Sequence, residues 1–168
     1  ADMQMFLRPD YAQHTHSPFL LRDMEKAVDR LLRAIDGNER VAVYADFDCD
    51  GIPGASLLHD FFQKIEYPNV EIYIPHRDLE GYGFHVDAIE KLKQRGVSLI
   101  VTVDVGTVAV EGVNAANELG IDVIVTDHHE IIGALPDAFA ILNPKLVPYP
   151  FPHLCGAAVA WKLVQATL

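Results

Sequence analysis

Cysteine is scarce in this chain: 2 of 168 residues, Cys49 and Cys155, far apart and forming no C-x-x-C pair. That spacing speaks against a zinc knuckle or a redox dithiol, and reduced thiols of a cytoplasmic protein are the expectation. No apolar run approaches the ~18 residues needed to cross a membrane, and no charged, apolar, small-residue opening marks a signal peptide. A membrane partner is therefore not expected. Basic charge is also scarce: 13 Lys and Arg stand against 24 Asp and Glu, for a net charge of −11. Proteins that coat phosphates by charge alone are basic, so that class is excluded. An acidic chain can still work on phosphates when bound metal ions neutralise some of its carboxylates. The first residue is Ala1 and not Met, so the chain is expected to begin inside a longer protein.

Half of the residues are hydrophobic and 22% are charged, the balance of a globular domain with a core of its own. Residues 1–21, with Pro9, Pro18 and the aromatics Phe6, Tyr11 and Phe19, read as an irregular, extended lead-in. His14 and His16 there are assigned to a solvated tail. Residues 23–34 are expected to be helical, since Met24, Ala27, Val28, Leu31, Leu32 and the following Ile35 fall at helical spacing, and Gly37 stops that helix. A rhythm follows. Strands are expected at 41–45, 70–74, 99–103, 123–126 and 138–142, and helices at 55–64, 86–95, 108–119 and 156–168. Strands alternating with helices of about ten residues imply right-handed βαβ units. The strands are continuous β-branched runs, as in sheets buried on both faces. The fold class is α/β: a doubly wound, mostly parallel five-stranded sheet with helices on both faces.

Polar chemistry clusters immediately after strands. Asp46-Phe47-Asp48-Cys49-Asp50-Gly51 follows the first, Asp104 the third, and Asp127-His128-His129-Glu130 the fourth. Ligand sites of open α/β sheets lie off the carboxyl ends of the strands. With strand order 2-1-3-4-5, these three clusters converge on one crevice. Crowded carboxylates resist ionising together, and hard divalent cations remove that difficulty. Carboxylates suit Mg²⁺ or Mn²⁺, and added imidazoles tilt the choice toward Mn²⁺ or another transition ion. Two such ions bridged by a carboxylate make a site for in-line attack on phosphorus.

Rival patterns fail. Asp46-x-Asp48-x-Asp50-Gly51 resembles the start of a calcium EF-hand loop, but the twelfth position is Leu57 where Glu is needed, and a strand precedes it. There is no G-x-x-x-x-G-K-[ST] phosphate loop, and Gly81-Tyr82-Gly83 has no third glycine at position 86. A single Asp after a strand is usually a helix cap. Three Asp within five residues, together with Asp127-His128-His129, favour a metal site. Asp127 is the member best suited to orienting a histidine. Arg77, after the second strand, is a candidate phosphate contact. His59 is assigned to a helix surface, His153 to structure, and Lys91, Lys93 and Arg95 to a solvated helix face.

These residues resemble the DHH phosphoesterase superfamily, named for the Asp-His-His seen at 127–129, and most closely its RecJ branch. The likeness runs through residues 18–24, 41–51, 80–83, 99–106, 123–130, 142–144 and 155–163. It implies a metal-dependent phosphodiesterase that degrades single-stranded DNA from the 5′ end in recombination and repair, alongside replication and repair proteins. By motif, Asp48, Asp50, Asp104 and His128 are the implied metal ligands of two Mn²⁺ or Mg²⁺ ions, with Asp46 and His129 as ligands or close neighbours. Asp104 is the implied bridge, and Asp104, Asp127, His128 and His129 are the implied catalytic set. The alternatives are a phosphodiesterase for short oligonucleotides or cyclic dinucleotides, and a degenerate, non-catalytic scaffold in a replication or repair complex. Two departures bear on the choice. Val105 stands where the family has Asn, which predicts a lost polar contact near the metals. The family also continues beyond residue 168 with a further metal-ligating Asp and a second domain, so the chain is expected to be a fragment. Residues 1–36 are read as a lead-in segment and helix, and residues 37–168 as the DHH domain.

Overall fold

Residues 3–168 are described by a computed structural model. Their elements are α1 (Met3–Leu7), α2 (Tyr11–His14), a 3₁₀ turn (Pro18–Leu20), α3 (Met24–Asp36), β1 (Arg40–Ala45), α4 (Gly51–Lys64), β2 (Val70–Tyr73), α5 (Val86–Gln94), β3 (Val97–Val103), α6 (Val110–Glu118), β4 (Asp122–Thr126), β5 (Ala140–Leu142) and α7 (Gly156–Thr167). The strands form one sheet in the order β2-β1-β3-β4-β5. Every pairing is parallel. Winding reverses between β1 and β3, the place where open α/β sheets present a crevice.

Alternation along each strand divides the core in two. Val41, Val43, Ala45, Leu99, Val101, Val103, Ile124, Ala140 and Leu142 face a layer made by α3, α4 and α7. Ala42, Tyr44, Ile100, Val123, Val125 and Ile141 face α5 and α6. The helix layers cover both faces, which is why the strand interiors carry almost no polar side chains.

The ends of the elements depart from the sequence expectation in instructive ways. The lead-in is not extended: residues 3–20 contain three short helical turns. Local caps make two of them, since Asp10 accepts a hydrogen bond from the Gln13 N–H at 3.0 Å and Ser17 accepts one from Phe19 at 3.3 Å. Single turns have no periodicity for a sequence pattern to reveal. Residues 1 and 2 of that segment lie outside the described residues. Helix α4 starts at Gly51, four residues early, because Pro53 sits in its first turn, where a missing N–H costs nothing. Asp23 does not cap α3. It takes a left-handed conformation, φ 61°, and its carboxylate accepts the N–H of Ile141 at 3.2 Å.

His59 lies exposed on α4, as expected, and Lys91, Lys93 and Arg95 are exposed on and just after α5. His153 is also exposed, standing edge-on to Phe151 with centroids 5.8 Å apart, so it holds no structural position in the core. No helix among the described residues is long and apolar enough to cross a membrane.

At the edge opposite the crevice, Arg30 of α3 is 6% exposed. It donates to Asp122 at 2.5 Å and to both oxygens of Glu39, at 3.2 and 2.7 Å. The pairing ties α3 to the starts of β1 and β4. Truncating one partner of a buried pair strands the other, at a typical cost of several kcal/mol, reduced here because Glu39 and Asp122 are partly solvated. Arg30→Ala is predicted to cost roughly 2 kcal/mol, read as a lower urea midpoint with an unchanged m-value.

Candidate metal centre

Each of Asp46, Asp104 and Asp127 occupies the first position past its strand. Each also extends the sheet ladder by one bond: Asp46 N–H to Val103 O at 3.1 Å, Asp104 N–H to Thr126 O at 2.9 Å, and Asp127 N–H to Leu142 O at 3.0 Å. The parallel register thus carries over into the loops and sets three carboxylates side by side at one edge. Asp104 turns the chain out of the strand with φ 61°. A left-handed conformation there costs on the order of 1 kcal/mol, and Asp tolerates it better than most residues.

Asp104 is the centre of the arrangement. Two groups of side chains can each offer ligand atoms within 4.8 Å of one another: Asp104 with His128 and His129, and Asp46 with Asp48 and Asp104. Asp104 belongs to both. It is 1% exposed, and its Oδ1 is buried without a hydrogen-bond partner. His128 Nε2 lies 3.1 Å away but is not aligned to donate, and His129 Nδ1 lies at 3.8 Å. An unpartnered buried carboxylate oxygen facing two imidazoles and two further carboxylates is a donor set that fits a divalent cation. Burial, then the charges of Asp50 and Asp48, push the Asp104 carboxyl up to about 8.

The loops around it are fixed by their own hydrogen bonds. Asp48 Oδ1 accepts the N–H groups of Asp50 and Gly51 at 2.8 and 2.9 Å, the former closing a tight turn. The bond from Gly51 is the main reason the Asp48 carboxyl lies below its usual range. Burial raises that of Asp46, which accepts the Phe47 N–H at 2.7 Å. Asp50 sends both oxygens to the start of α7, accepting from Gly156 at 2.7 Å and Ala157 at 2.8 Å. Among the six expected ligands it alone falls outside the two groups, although His128 Nε2 is 3.5 Å from its Oδ2. Each of its oxygens keeps a second lone pair for an ion.

Asp127 is fully buried and acts on the histidine loop. Its Oδ1 accepts from the His128 N–H at 2.7 Å and lies 2.7 Å from His129 Nδ1, while Oδ2 accepts from the Thr107 N–H at 2.8 Å. Burial alone would raise its pKa, but the bonds from His129 and Thr107 outweigh it and hold the carboxyl low. The same contact raises His129. Sequence reasoning missed Asn143, which donates to Thr107 Oγ1 at 2.9 Å and to the His129 carbonyl at 3.0 Å. A buried Asn directly after a strand, before Pro144, was the available signal. It also missed the role of Gly156, where a Cβ would stand 2.5 Å from Asp104 Oδ1.

Val105 does not face the site. It is 3% exposed and packs in the α5–α6 core beside Tyr44, Phe84 and Val113. The expectation that its apolar side chain removes a polar contact near the metals is corrected: position 105 is a packing position in this chain. Arg77 is exposed, with its guanidinium over the Phe47 ring, 4.2 Å from the centroid. Phe47 lies between Asp46 and Asp48, so the stack holds Arg77 at the rim of the carboxylate cluster.

Residues 40–168 match the DHH family, N-terminal domain. The chain belongs to the DHH family. It is 44% identical over 155 residues to the single-stranded-DNA-specific exonuclease RecJ of Bacillus subtilis, an alignment covering 91% of this chain and 20% of that protein. It is 40% identical over 148 residues to the Escherichia coli protein of the same name, covering 87% and 26%. Among solved structures, exonuclease RecJ bound to manganese superposes with a TM-score of 0.82 at 29% identity, covering 91% of this chain and 39% of that one. RecJ of Thermus thermophilus in complex with Mn²⁺ gives 0.72 at 26%, covering 88% and 21%. This DHH chain therefore spans about a quarter or less of the length of these curated relatives.

Asp104 makes a testable demand on stability. In the unfolded chain its carboxyl ionises near the ordinary value of 3.8, whereas in the fold it holds its proton to about 8. The unfolded state therefore releases this proton first, and Asp104 costs stability progressively as pH rises from about 4 to about 8. In EDTA, Asp104→Asn is predicted to be more stable than the parent at pH 8, by about 2 kcal/mol, and no more stable at pH 4. Thermal melts at the two pH values check both the direction and the window.

Proposed function

We propose that this chain is the metal-binding core of a RecJ-like phosphodiesterase that hydrolyses single-stranded DNA from its 5′ end in recombination and repair. The observation that carries the reading is the sharing of Asp104 between two ligand groups. The similar structures that hold manganese, by their descriptions, support the choice of ion. In this reading Asp104, His128 and His129 hold one Mn²⁺ or Mg²⁺, and Asp46, Asp48 and Asp104 hold a second, with Asp50 beside His128 completing the set. Residues 37–168 are the working unit and residues 1–36 its bracket.

When bound, such ions acidify a water and neutralise charge developing on the phosphoryl oxygens. The chain's own residues do the rest. Asp104 gives up its proton to a cation, and its Oδ1, with no competing hydrogen bond, offers free lone pairs. Asp127 fixes the His129 ring through Nδ1 and leaves its other ring nitrogen as a ligand or proton acceptor. Arg77, stacked on Phe47, offers two parallel N–H donors to a phosphate at the rim. Net charge of −11 means that contact with the polymer is concentrated at this point. A cytoplasmic setting, among replication and repair proteins, accords with two exposed free cysteines.

Calorimetry with Mn²⁺ on the 168-residue chain should show binding that Asp104→Asn weakens at least tenfold. Equal binding by both proteins would remove the basis of the proposal. The substrate is tested on the complete gene product with 5′-labelled single-stranded DNA and Mn²⁺, and stepwise shortening is expected. Cleavage of dinucleotides alone would assign it to small substrates, and no cleavage despite Mn²⁺ binding would make it a scaffold. In the same assay Arg77→Ala should raise KM by about tenfold with kcat little changed.

A further inference from the structure

Lys162 is the one lysine in the buried polar set, 2% exposed on the inner face of α7. It makes no ion pair among the described residues. Its ammonium donates to the His16 carbonyl at 2.6 Å and to Gln165 Oε1 at 2.8 Å, and lies 4.5 Å from the Trp161 ring centroid. The Tyr149 hydroxyl reaches the same carbonyl at 3.5 Å. Burial lowers the Lys162 pKa. A buried cation without a carboxylate partner is expensive, and an apolar residue of similar length would fill the space at less cost. What the ammonium provides is a fixed, directional link between two segments 146 residues apart: the lead-in around His16 and Pro18, and α7.

The other end of α7 meets the metal centre. Gly156 and Ala157 donate to Asp50, and the Gly156 backbone approaches so closely that an added Cβ would lie 2.5 Å from Asp104 Oδ1. A helix is stiff along its axis at ~1.5 Å rise per residue, so a displacement at Lys162 is passed to Gly156 less than two turns away. The α7 N-terminus has no slack on the Asp104 side, where a shift of a few tenths of an ångström alters the room around the carboxylate.

We propose that Lys162 is a positioning residue for the metal centre: by tying the lead-in segment to α7, it sets the depth at which the α7 N-terminus meets Asp50 and Asp104. This rests on the reading of Asp104 as a metal ligand. Lys162 touches neither carboxylate; it acts through α7.

The test is Mn²⁺ affinity of the chain by calorimetry, with Leu92→Ala as a comparison that destabilises the opposite face of the sheet. Partners behind metal ligands typically change affinity 10–100-fold, and Lys162 acts one step further out, so Lys162→Met should weaken Mn²⁺ binding about five- to tenfold. Lys162→Arg, which keeps a donor toward His16, should recover most of it, and Leu92→Ala should leave affinity unchanged despite a lower Tm. Should Lys162→Met not fold, the double variant Ser17→Gly, Pro18→Gly loosens the lead-in that packs on α7 while leaving every α7 residue unchanged, and should weaken Mn²⁺ to a similar degree. If Asp104→Asn abolishes binding while Lys162→Met and the loosened lead-in retain full affinity, the positioning role is refuted and the metal site stands. If Asp104→Asn itself binds Mn²⁺ normally, the metal-site reading is what fails.

Discussion

Everything at the candidate metal centre depends on the parallel hydrogen-bond ladder continuing one residue beyond the strands. Asp46, Asp104 and Asp127 each spend their N–H on the last carbonyl of the neighbouring strand. Their Cα atoms are thereby held in sheet register even though their side chains serve the loops. Repulsion among carboxylates would otherwise spread them apart, since each would gain solvent by moving. The ladder resists this with backbone bonds that charge does not weaken, and the hydrophobic layers on both faces hold the ladder.

The second tier of the design is division of labour among acids of the same type. Asp127 is saturated with donors from Thr107, His128 and His129 and holds a loop. Asp48 closes a turn and starts α4. Asp50 caps α7. Asp104 has no such bond on Oδ1. Environment and not residue identity separates their roles: donors lower the carboxyls of Asp48 and Asp127, while burial among like charges raises that of Asp104.

Much of this was legible in the chain. Unbroken β-branched runs separated by helical segments gave the parallel sheet, and acidic residues placed immediately after strands gave the edge where chemistry would gather; the strand order entered as a condition that the fold meets. What could not be read has a common cause. Arg30 and Lys162 are polar residues with partners far off in sequence, and no local pattern marks a contact spanning 92 or 146 positions. The short turns of the lead-in depend on single caps without periodicity. Val105 misled because sequence order places it beside Asp104, whereas the left-handed turn at Asp104 sends the next side chain into the opposite core layer. The same limit separates Asp50 from its neighbours: in sequence it is one of three equivalent aspartates, and only the arrival of α7 distinguishes it.

That arrival has a consequence for synthesis on the ribosome. Asp46, Asp48 and Asp104 are all translated well before Gly156, yet the carboxylate of Asp50 finds its backbone donors 106 and 107 residues later. Before α7 docks, Asp50 has no backbone donors, and the acidic edge is open to water where Gly156 would otherwise press on Asp104. A chain cut short before residue 156 would keep Asp46, Asp104 and Asp127 in sheet register and lose the backbone donors that fix Asp50.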